Sequence, residues 1–403
     1  MARDSREFQA LLRVHEGLPR QGPGSAEATE LALSLLPPLR RQAKIYDLGC
    51  GPGLATIVLA KKLQRKIIAV DLTPEFIEQT STNAEEKGLS HLIEPRHGDM
   101  IELDDQPESI DLIWSEGAIY CVGFDNALHT WRPLLHSSGI VACTELSWLT
   151  STPSSKALEF WQAAYPAMRS VKENILRAEQ LGYARINHFT LPDSCWWDEY
   201  YSPLLHNTER LASESKDDPV LARAVANARA EISLFHECSR EYGYVFYLLQ
   251  KSDITIERAQ IDDSQDIARV LRTSFSAALP FISILHTRYE DFNYVRDQLF
   301  PTNQIFVARD AGCNVIGYIA FNDERINHLY IDPAATRQGT GTRLLNIAKL
   351  HNCKLRLWTF QKNENAQRFY QARGFYPIKE TDGSGNEEHE PDILYEWKAD
   401  LYR

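Results

Sequence analysis

The chain predicts a doubly wound α/β domain followed by an α+β domain, on three observations. Its 403 residues exceed one typical core, since domains run to roughly 100–200 residues. Up to Leu149, apolar strand patterns alternate with helical ones, the arrangement of βαβ crossovers in a parallel sheet. Beyond Lys251 the order becomes one strand, two helices and three consecutive strands joined by short polar turns, which indicates antiparallel pairing. No internal repeat is visible, so the halves are different domains, 1–250 and 254–403, divided at KSD (251–253).

The elements follow in order. An amphipathic start and a polar RQGPGS turn (20–25) lead through the helix ATELALSLLPPL to the first apolar strand, KIYDLGC. Then come helix LATIVLAKKL, strand KIIAVDL, helix PEFIEQTSTNAEEKG, strands HLIEPRHGD and IDLIWSEG, helix NALHTWRPLL and strand GIVACTELSWL. Residues 151–240 read mostly helical around a strand-like ARINHFTLP, and YGYVFYLLQK (242–251) reads as a closing edge strand. In the second domain ITIERAQ is a strand, DSQDIARVLRTSF and YEDFNYVRDQLF are helices, and QIFVARDAG, NVIGYIAFND and RINHLYIDP are strands. Helix GTGTRLLNIAKLHN, strand KLRLWTF, helix NENAQRFYQARG and strands FYPIKE and ILYEWKA complete an α+β domain around one mostly antiparallel sheet.

Composition narrows the function. Hydrophobic residues at 43% and charged ones at 24% are those of an ordinary globular protein. No apolar run nears the roughly 18 residues of a membrane span, and the charged N-terminus is unlike a signal peptide, so a cytoplasmic protein with no membrane partner is expected. Seven widely spaced cysteines without a CxxC pair argue for reduced thiols, and the histidines show no ligand spacing, so no metal is expected. The net charge is -12. From Ile254 onward 20 acids face 18 bases, leaving most of the excess in the first domain. No basic stripe marks a nucleic-acid groove. Small-molecule substrates are expected, and the pattern leaves room for a homodimer.

In YDLGCGPG (46–53), Gly49, Gly51 and Gly53 follow a strand and open a helix, with Asp47 before them. Bare backbone lets a ligand approach closely, and a helix N-terminus favours negative charge. Asp71 ends the next strand about 20 residues on, where an acid can accept hydrogen bonds from ribose hydroxyls. A dinucleotide site would need GxGxxG, with glycine where Leu54 stands. The DxGxGxG spacing instead resembles motif I of class I S-adenosylmethionine-dependent methyltransferases. Asp71 matches their ribose acid, Asp99 in HGDM (97–100) looks like the residue that reads the adenine amino group, and IDLIWSEG matches the strand beneath the methyl donor. The resemblance covers roughly residues 40–150. It implies a Rossmann-like methyltransferase domain binding S-adenosyl-L-methionine through Asp47, Gly49, Cys50, Gly51, Gly53, Asp71, Leu72, Asp99 and Met100.

More narrowly, GLPRQGPG, WSEGAIYCVGF, TELSWL, EFWQAAYP and HFTLPDSCWWDEYYSPL look like a bacterial subfamily of small-molecule methyltransferases, which carries the resemblance to about residue 205. Such a site needs chiefly to align a nucleophile with the methyl group and exclude water. Glu116 and Glu145 each follow an apolar strand, where loops at carboxyl ends carry function, and are the catalytic candidates. Tyr120, Trp148, Trp196, Trp197 and Tyr200 are candidates for the acceptor wall, although such residues also serve as ordinary packing. Arg20 and Gln21 are candidates for a lid.

The second glycine loop, TRQGTG, also opens a helix, so successive N–H groups can face a pyrophosphate. No acid follows at a second strand end. LYIDPAATRQGTGTRLL resembles motif A of the GCN5-related N-acetyltransferases, whose Q/R-x-x-G-x-G/A loop cradles acetyl-CoA. Gln338, Gly339 and Gly341 match, whereas Arg343 stands where the family has Gly or Ala. LRLWTFQKNENAQRFYQARGF looks like motif B, with Asn363 near the pantetheine arm and Tyr370 as the acid for the departing thiolate. The resemblance spans about residues 254–398. It implies an acetyl-CoA site of Leu329, Ile331, Gln338, Gly339, Thr340, Gly341, Thr342, Asn363 and Tyr370, with the backbone of Leu329–Ile331 polarising the thioester through a bulge.

The positions that best match the family's base hold Arg325 and Asn327, leaving Glu324 and His328 as neighbouring candidates or a water relay. In the loop TDGSGNEEHEPD, Glu387, Glu388 and Asp392 could attract a cationic amine, with Glu388 and Asp392 the substrate-binding candidates. The whole points to a bifunctional transferase, with methyl transfer first in the chain and amine acetylation second. The alternative is a methyltransferase whose second domain is a non-catalytic acyl-CoA-binding or sensor module.

Overall fold

The strand before the first glycine loop forms β1 (Ile45–Leu48), buried at all four positions, as a strand covered on both faces must be. In the computed structural model, which describes residues 6–282 and 284–399, the chain divides into two compact units between Lys251 and Ser252.

In the first unit β1 pairs in parallel with β2 (Ile67–Asp71) and β4 (Ile110–Ser115), and β2 pairs in parallel with β3 (Ile93–His97). The long β5 (Leu135–Trp148) continues the parallel run beside β4 and also pairs with the two-residue β6 (Arg169–Ser170). The order β3-β2-β1-β4-β5 reverses direction at β1, the switch point at which doubly wound sheets bind ligands. Helices Leu54–Leu63 and Pro74–Glu86 make the crossovers.

The sequence YGYVFYLLQK is β8 (Tyr242–Lys251), but it is not an edge. It lies antiparallel between β5 and β7 (Tyr183–Thr190), and β7 closes that side. Burial gives the reason: β8 is buried at nine of its ten positions, whereas β7 is half-buried along most of its length. A nearly continuous apolar run belongs inside a sheet.

The second unit departs from the single sheet expected. Strands β9 (Thr255–Arg258), β10 (Gln304–Arg309), β11 (Val315–Phe321) and β12 (Ile326–Ile331) form one antiparallel sheet with β12 at its edge. A second antiparallel sheet has the order β13 (Lys354–Phe360), β15 (Asp392–Lys398), β14 (Tyr376–Glu380). An isolated parallel bridge, Arg325 to Arg356, links them, with Arg356 N donating to Glu324 O at 2.9 Å. Past that stitch β12 and β13 part, and a cavity of about 610 Å³ opens between them. No helix among the described residues is long and apolar enough to cross a membrane.

Candidate active sites

The first glycine loop is packed from beneath and open above. Gly49 (φ 71°) and Gly53 (φ 84°) are left-handed, and added Cβ atoms would lie 2.3 Å from Ala118 Cβ and 2.8 Å from the Thr80 side chain. Only glycine fits either place. At Gly51 the nearest atom to such a Cβ is Gln21 Cγ at 3.8 Å, so this face of the loop is free to meet a ligand. Thr80 Oγ1 donates to Gly51 O at 2.8 Å, and Asn83 Nδ2 to Pro52 O at 2.8 Å. No motif marks these two in the sequence, because they anchor the loop from the next crossover helix, Pro74–Glu86. Cys50 contributes a backbone N–H to Val70 O at 3.1 Å, and its thiol is buried.

The acids divide by environment. Asp47 is 1% exposed and accepts from Thr56 Oγ1 at 2.5 Å, and burial pushes its carboxyl up to about 7. Asp71 instead faces the loop, accepting from Gly51 N at 2.9 Å and from Thr73 N at 2.8 Å. Asp99 Oδ1 accepts from Ile101 N at 3.0 Å, while its Oδ2 makes no hydrogen bond among the described residues. Met100 brings Cε within 3.0 Å of the Gly49 Cβ position, and Leu72 is exposed. An open glycine face flanked by two hydrogen-bond-accepting acids fits a nucleoside bearing hydroxyl and amino donors.

Glu116 and Glu145 separate. Glu116 accepts from Thr29 Oγ1 (2.6 Å), Trp114 Nε1 (2.8 Å) and Arg20 (3.1 Å), and Arg20 also pairs with Glu199 at 2.8 Å. With three donors on its carboxylate, Glu116 is tied to Arg20 of the RQGPGS turn and to Thr29 of the helix that follows it. Arg20 is buried in that network, while Gln21 Cγ stands 3.8 Å from where a Gly51 Cβ would lie. Glu145 is 2% exposed. Its Oε1 accepts from Tyr165 Oη at 2.7 Å and its Oε2 is buried with no partner among the described residues. Burial drives this carboxyl up to about 7.

Among the aromatic candidates, Tyr120 is exposed and meets Tyr165 edge-on at 6.2 Å. Tyr200 is buried on a cavity wall, its Oη 3.3 Å from His15 Nε2. Trp196 is a correction: fully buried, it stacks on Phe235 at 4.2 Å and belongs to the core. Trp148 packs edge-on to Tyr242, and Trp197 lies against Tyr201 and Phe235.

In the second unit Gly339 (φ 82°) caps the helix Thr340–His351. The N–H groups of Gly339, Thr340 and Gly341 find no acceptor among the described residues, and Thr340 Oγ1 is buried without a partner. Such an orphaned set fits a phosphate. Gln338 is exposed beside it. Thr342 Oγ1 accepts from Arg373 at 2.6 and 2.9 Å. Arg343 turns away, donating to Ser252 Oγ at 2.7 Å and Ile254 O at 2.9 Å. The side chain out of pattern therefore ties down the start of its own unit and leaves the loop face clear.

Leu329, Asn363, Tyr370, Glu388 and Asp392 all line the 610 Å³ cavity, whereas Ile331 lies on β12 outside that lining. Asn363 caps the helix Glu364–Gln371, its Oδ1 accepting from Ala366 N at 3.1 Å. Tyr370 is buried, which pushes its phenol pKa up. Asp392 accepts from Thr381 Oγ1 and, at 3.2 Å, from Asn386 Nδ2, so it also shapes the loop. Glu387 pairs with His286 at 3.3 Å.

Three expectations change here. The β12 bulge falls at Asn327, where the register slips from Ala320–His328 to Phe321–Ile326, not at Leu329–Ile331. His328 does not line the cavity; its Nδ1 lies 2.7 Å from Tyr318 Oη and its Nε2 3.2 Å from Tyr294 Oη. Burial lowers it to about 4, leaving a neutral ring fixed between two phenols. Glu324 is exposed in the turn before β12 and is also absent from the cavity wall.

Comparison with known proteins agrees with both halves. Residues 45–139 match the family model of a methyltransferase domain, and residues 301–377 that of an acetyltransferase (GNAT) domain. The chain is 30% identical over 101 residues to a ribosomal protein L11 methyltransferase of Alkaliphilus metalliredigens, covering 25% of this chain and 32% of that one. It thus spans about a third of that relative's length. It is 29% identical over 124 residues to the peptidyl-lysine N-acetyltransferase YiaC of Escherichia coli, covering 30% of this chain and 84% of that one. In fold it is similar to YjhP of E. coli (TM-score 0.52, 20% identity, 60% of this chain and 99% of that one). A SAM-dependent methyltransferase from Thiobacillus denitrificans in complex with S-adenosyl-L-homocysteine gives TM-score 0.51 at 21% identity, over 61% of this chain and 98% of that one. Sequence motifs, sheet topology and family models converge: the chain carries a methyltransferase domain followed by a GNAT acetyltransferase domain.

Proposed function

We propose that the protein is a bifunctional transferase, methylating a small molecule from S-adenosyl-L-methionine in the first unit and N-acetylating an amine from acetyl-CoA in the second. Two separate cofactor cradles in one chain carry this reading. In the first, the Gly51 face, Asp71 and Asp99 would hold the nucleoside, whose sulfonium supplies an activated methyl group when bound. Tyr120, Tyr200 and Glu145 would border the acceptor space, and Gln21 would close over the loop as a lid.

In the second, the free N–H groups of Gly339–Gly341 and the Thr340 hydroxyl would hold pyrophosphate, and acetyl-CoA supplies the thioester. Tyr370, kept protonated by burial, lines the cavity and its Oη would serve as the proton donor. Edge strand β12 offers backbone donors on its unpaired side. Glu388 borders the same space and would draw in a cationic amine.

One observation favours the rival reading, a second unit that binds acyl-CoA without turning it over: neither Glu324 nor His328 reaches the cavity as a side-chain base. Glu388 or a water would have to take the amine proton. Calorimetry with S-adenosylhomocysteine and with CoA tests the cradles separately, and failure of either ligand to bind removes that half. Incubating the protein with acetyl-CoA and a panel of amines decides between enzyme and sensor: acetylated product supports catalysis, and tight binding without product supports the sensor.

A further inference from the structure

The acids between β14 and β15 are not equivalent. Asp382 accepts from Ser384 N at 3.0 Å, Glu387 pairs with His286 at 3.3 Å, and Glu390 pairs with Lys362 at 2.8 Å. Asp392 is engaged by Thr381 Oγ1 and Asn386 Nδ2. Glu388 is left over: it lines the 610 Å³ cavity, and its carboxylate makes no hydrogen bond or ion pair among the described residues.

A cation stands on the same wall. Lys379 lines the cavity, and its ammonium group likewise has no partner among the described residues. Regular alternation would not bring it there. Pro377 lies opposite Tyr395, so an unbroken ladder would turn Lys379 to the face of Tyr395, which is buried. A bulge at Ile378 shifts the register and sets Lys379 opposite Leu394 instead. That is the face of Asp392, and of Trp358 and Phe360, which pair with Leu394 and Asp392. All but Leu394 line the cavity. A bulge used in this way re-aims one side chain.

Glu388 and Lys379 thus share one cavity without pairing with each other, so each charge is free to meet a ligand. Leu279, Ile326, Trp358 and Phe360 give the same cavity apolar walls. Fixed opposite charges in a concave site select a ligand with the complementary pair. We infer that this cavity takes an amino acid, its ammonium group at Glu388 and its carboxylate at Lys379, and that such an amino acid is the acetyl acceptor. The acceptor role rests on the acetyl-transfer reading above; the binding site does not. In the transfer the ammonium loses one proton to Glu388, the freed nitrogen forms the C–N bond, and the C–S bond breaks with its electron pair on sulfur. Tyr370 gives sulfur a proton, and the second proton released by nitrogen replaces it.

The test is calorimetry of the full chain, with CoA present, using leucine, 5-aminopentanoate and 6-aminohexanoate, each beside its carboxamide. The amide keeps the amine and the length but not the negative charge. At least one acid is expected to bind roughly fivefold or more tighter than its amide. Lys379→Gln should erase that preference and Lys379→Arg should keep it; the side chain is exposed, so neither change threatens the fold. Glu388→Gln should weaken acid and amide alike. Equal affinity within every pair, no binding of any probe, or a preference that survives Lys379→Gln would each overturn the inference, as would acetylation of a lysine within a peptide in preference to every free amino acid. Mass spectrometry of the same mixtures with acetyl-CoA judges the other premise. A preferred acid that binds and is never acetylated removes the acetyl-transfer reading and leaves the amino-acid site standing.

Discussion

Tyr165 donates its phenolic hydrogen to Glu145 Oε1 across 2.7 Å, the one hydrogen bond that the buried carboxylate receives among the described residues. Tyr165→Phe should therefore leave Glu145 with no donor and move its pKa further up. The expected cost is about 1–3 kcal/mol of stability, read by urea denaturation near neutral pH. Full stability in that variant would mean that Glu145 is already protonated or solvated.

The two kinds of loop glycine should answer differently to the same change. Gly49→Ala drives a methyl group into Ala118 and should abolish S-adenosylhomocysteine binding together with about 1–3 kcal/mol of stability. Gly51→Ala meets only Gln21 and should fold with a loss of about 1 kcal/mol from its left-handed backbone, while still weakening the ligand. Thermal melts with and without ligand separate the two outcomes.

Asp47 gives a pH signature of definite sign. Its folded pKa of about 7 stands above the ordinary carboxylate value near 4, so the native state holds the extra proton between those limits. Stability from this group should fall as pH rises from about 4 to about 7, by on the order of a few kcal/mol, and level off outside that window. Asp47→Asn, which can still accept from Thr56, should flatten that part of the curve. Parallel curves for the two proteins would show that the group is not the source.

Arg343→Ala should destabilise the second unit by about 1–3 kcal/mol through the contacts to Ser252 and Ile254, with CoA affinity unchanged. A large drop in CoA affinity in a folded variant would instead put the guanidinium on the phosphates.

Tyr370→Phe should lower kcat for acetyl transfer by roughly 10²-fold and leave the KM for acetyl-CoA as it was. Steady-state kinetics on any accepted amine reads this directly.

The architecture was legible wherever chemistry repeats locally. Alternating apolar periods announced the crossovers, and the glycine loops, with Asp71 and Asp99 or with Asn363 and Tyr370, marked the candidate cradles. Contacts that join distant segments were silent: nothing in the helix sequence marks Thr80 and Asn83 as the residues that hold the loop carbonyls of Gly51 and Pro52. His328 misled because strand spacing does not reveal that Tyr294 and Tyr318 hold its ring. Trp196 misled because a tryptophan beside polar residues reads alike on a wall and in a core. The placement of β8 had a signal, the unbroken apolar run, which its position at the end of the domain obscured.

That placement sets an order of events during synthesis. Strand β7 leaves the ribosome long before β8 but has no neighbour in the sheet until β8 arrives, and β5 waits for the same strand through nine residue pairs. A nascent chain stopped short of Tyr242, before β8, would leave the β8-facing edges of β5 and β7 unpaired, the kind of surface that recruits chaperones or aggregates. A gene fragment meant to yield the methyltransferase half alone should therefore run through Lys251.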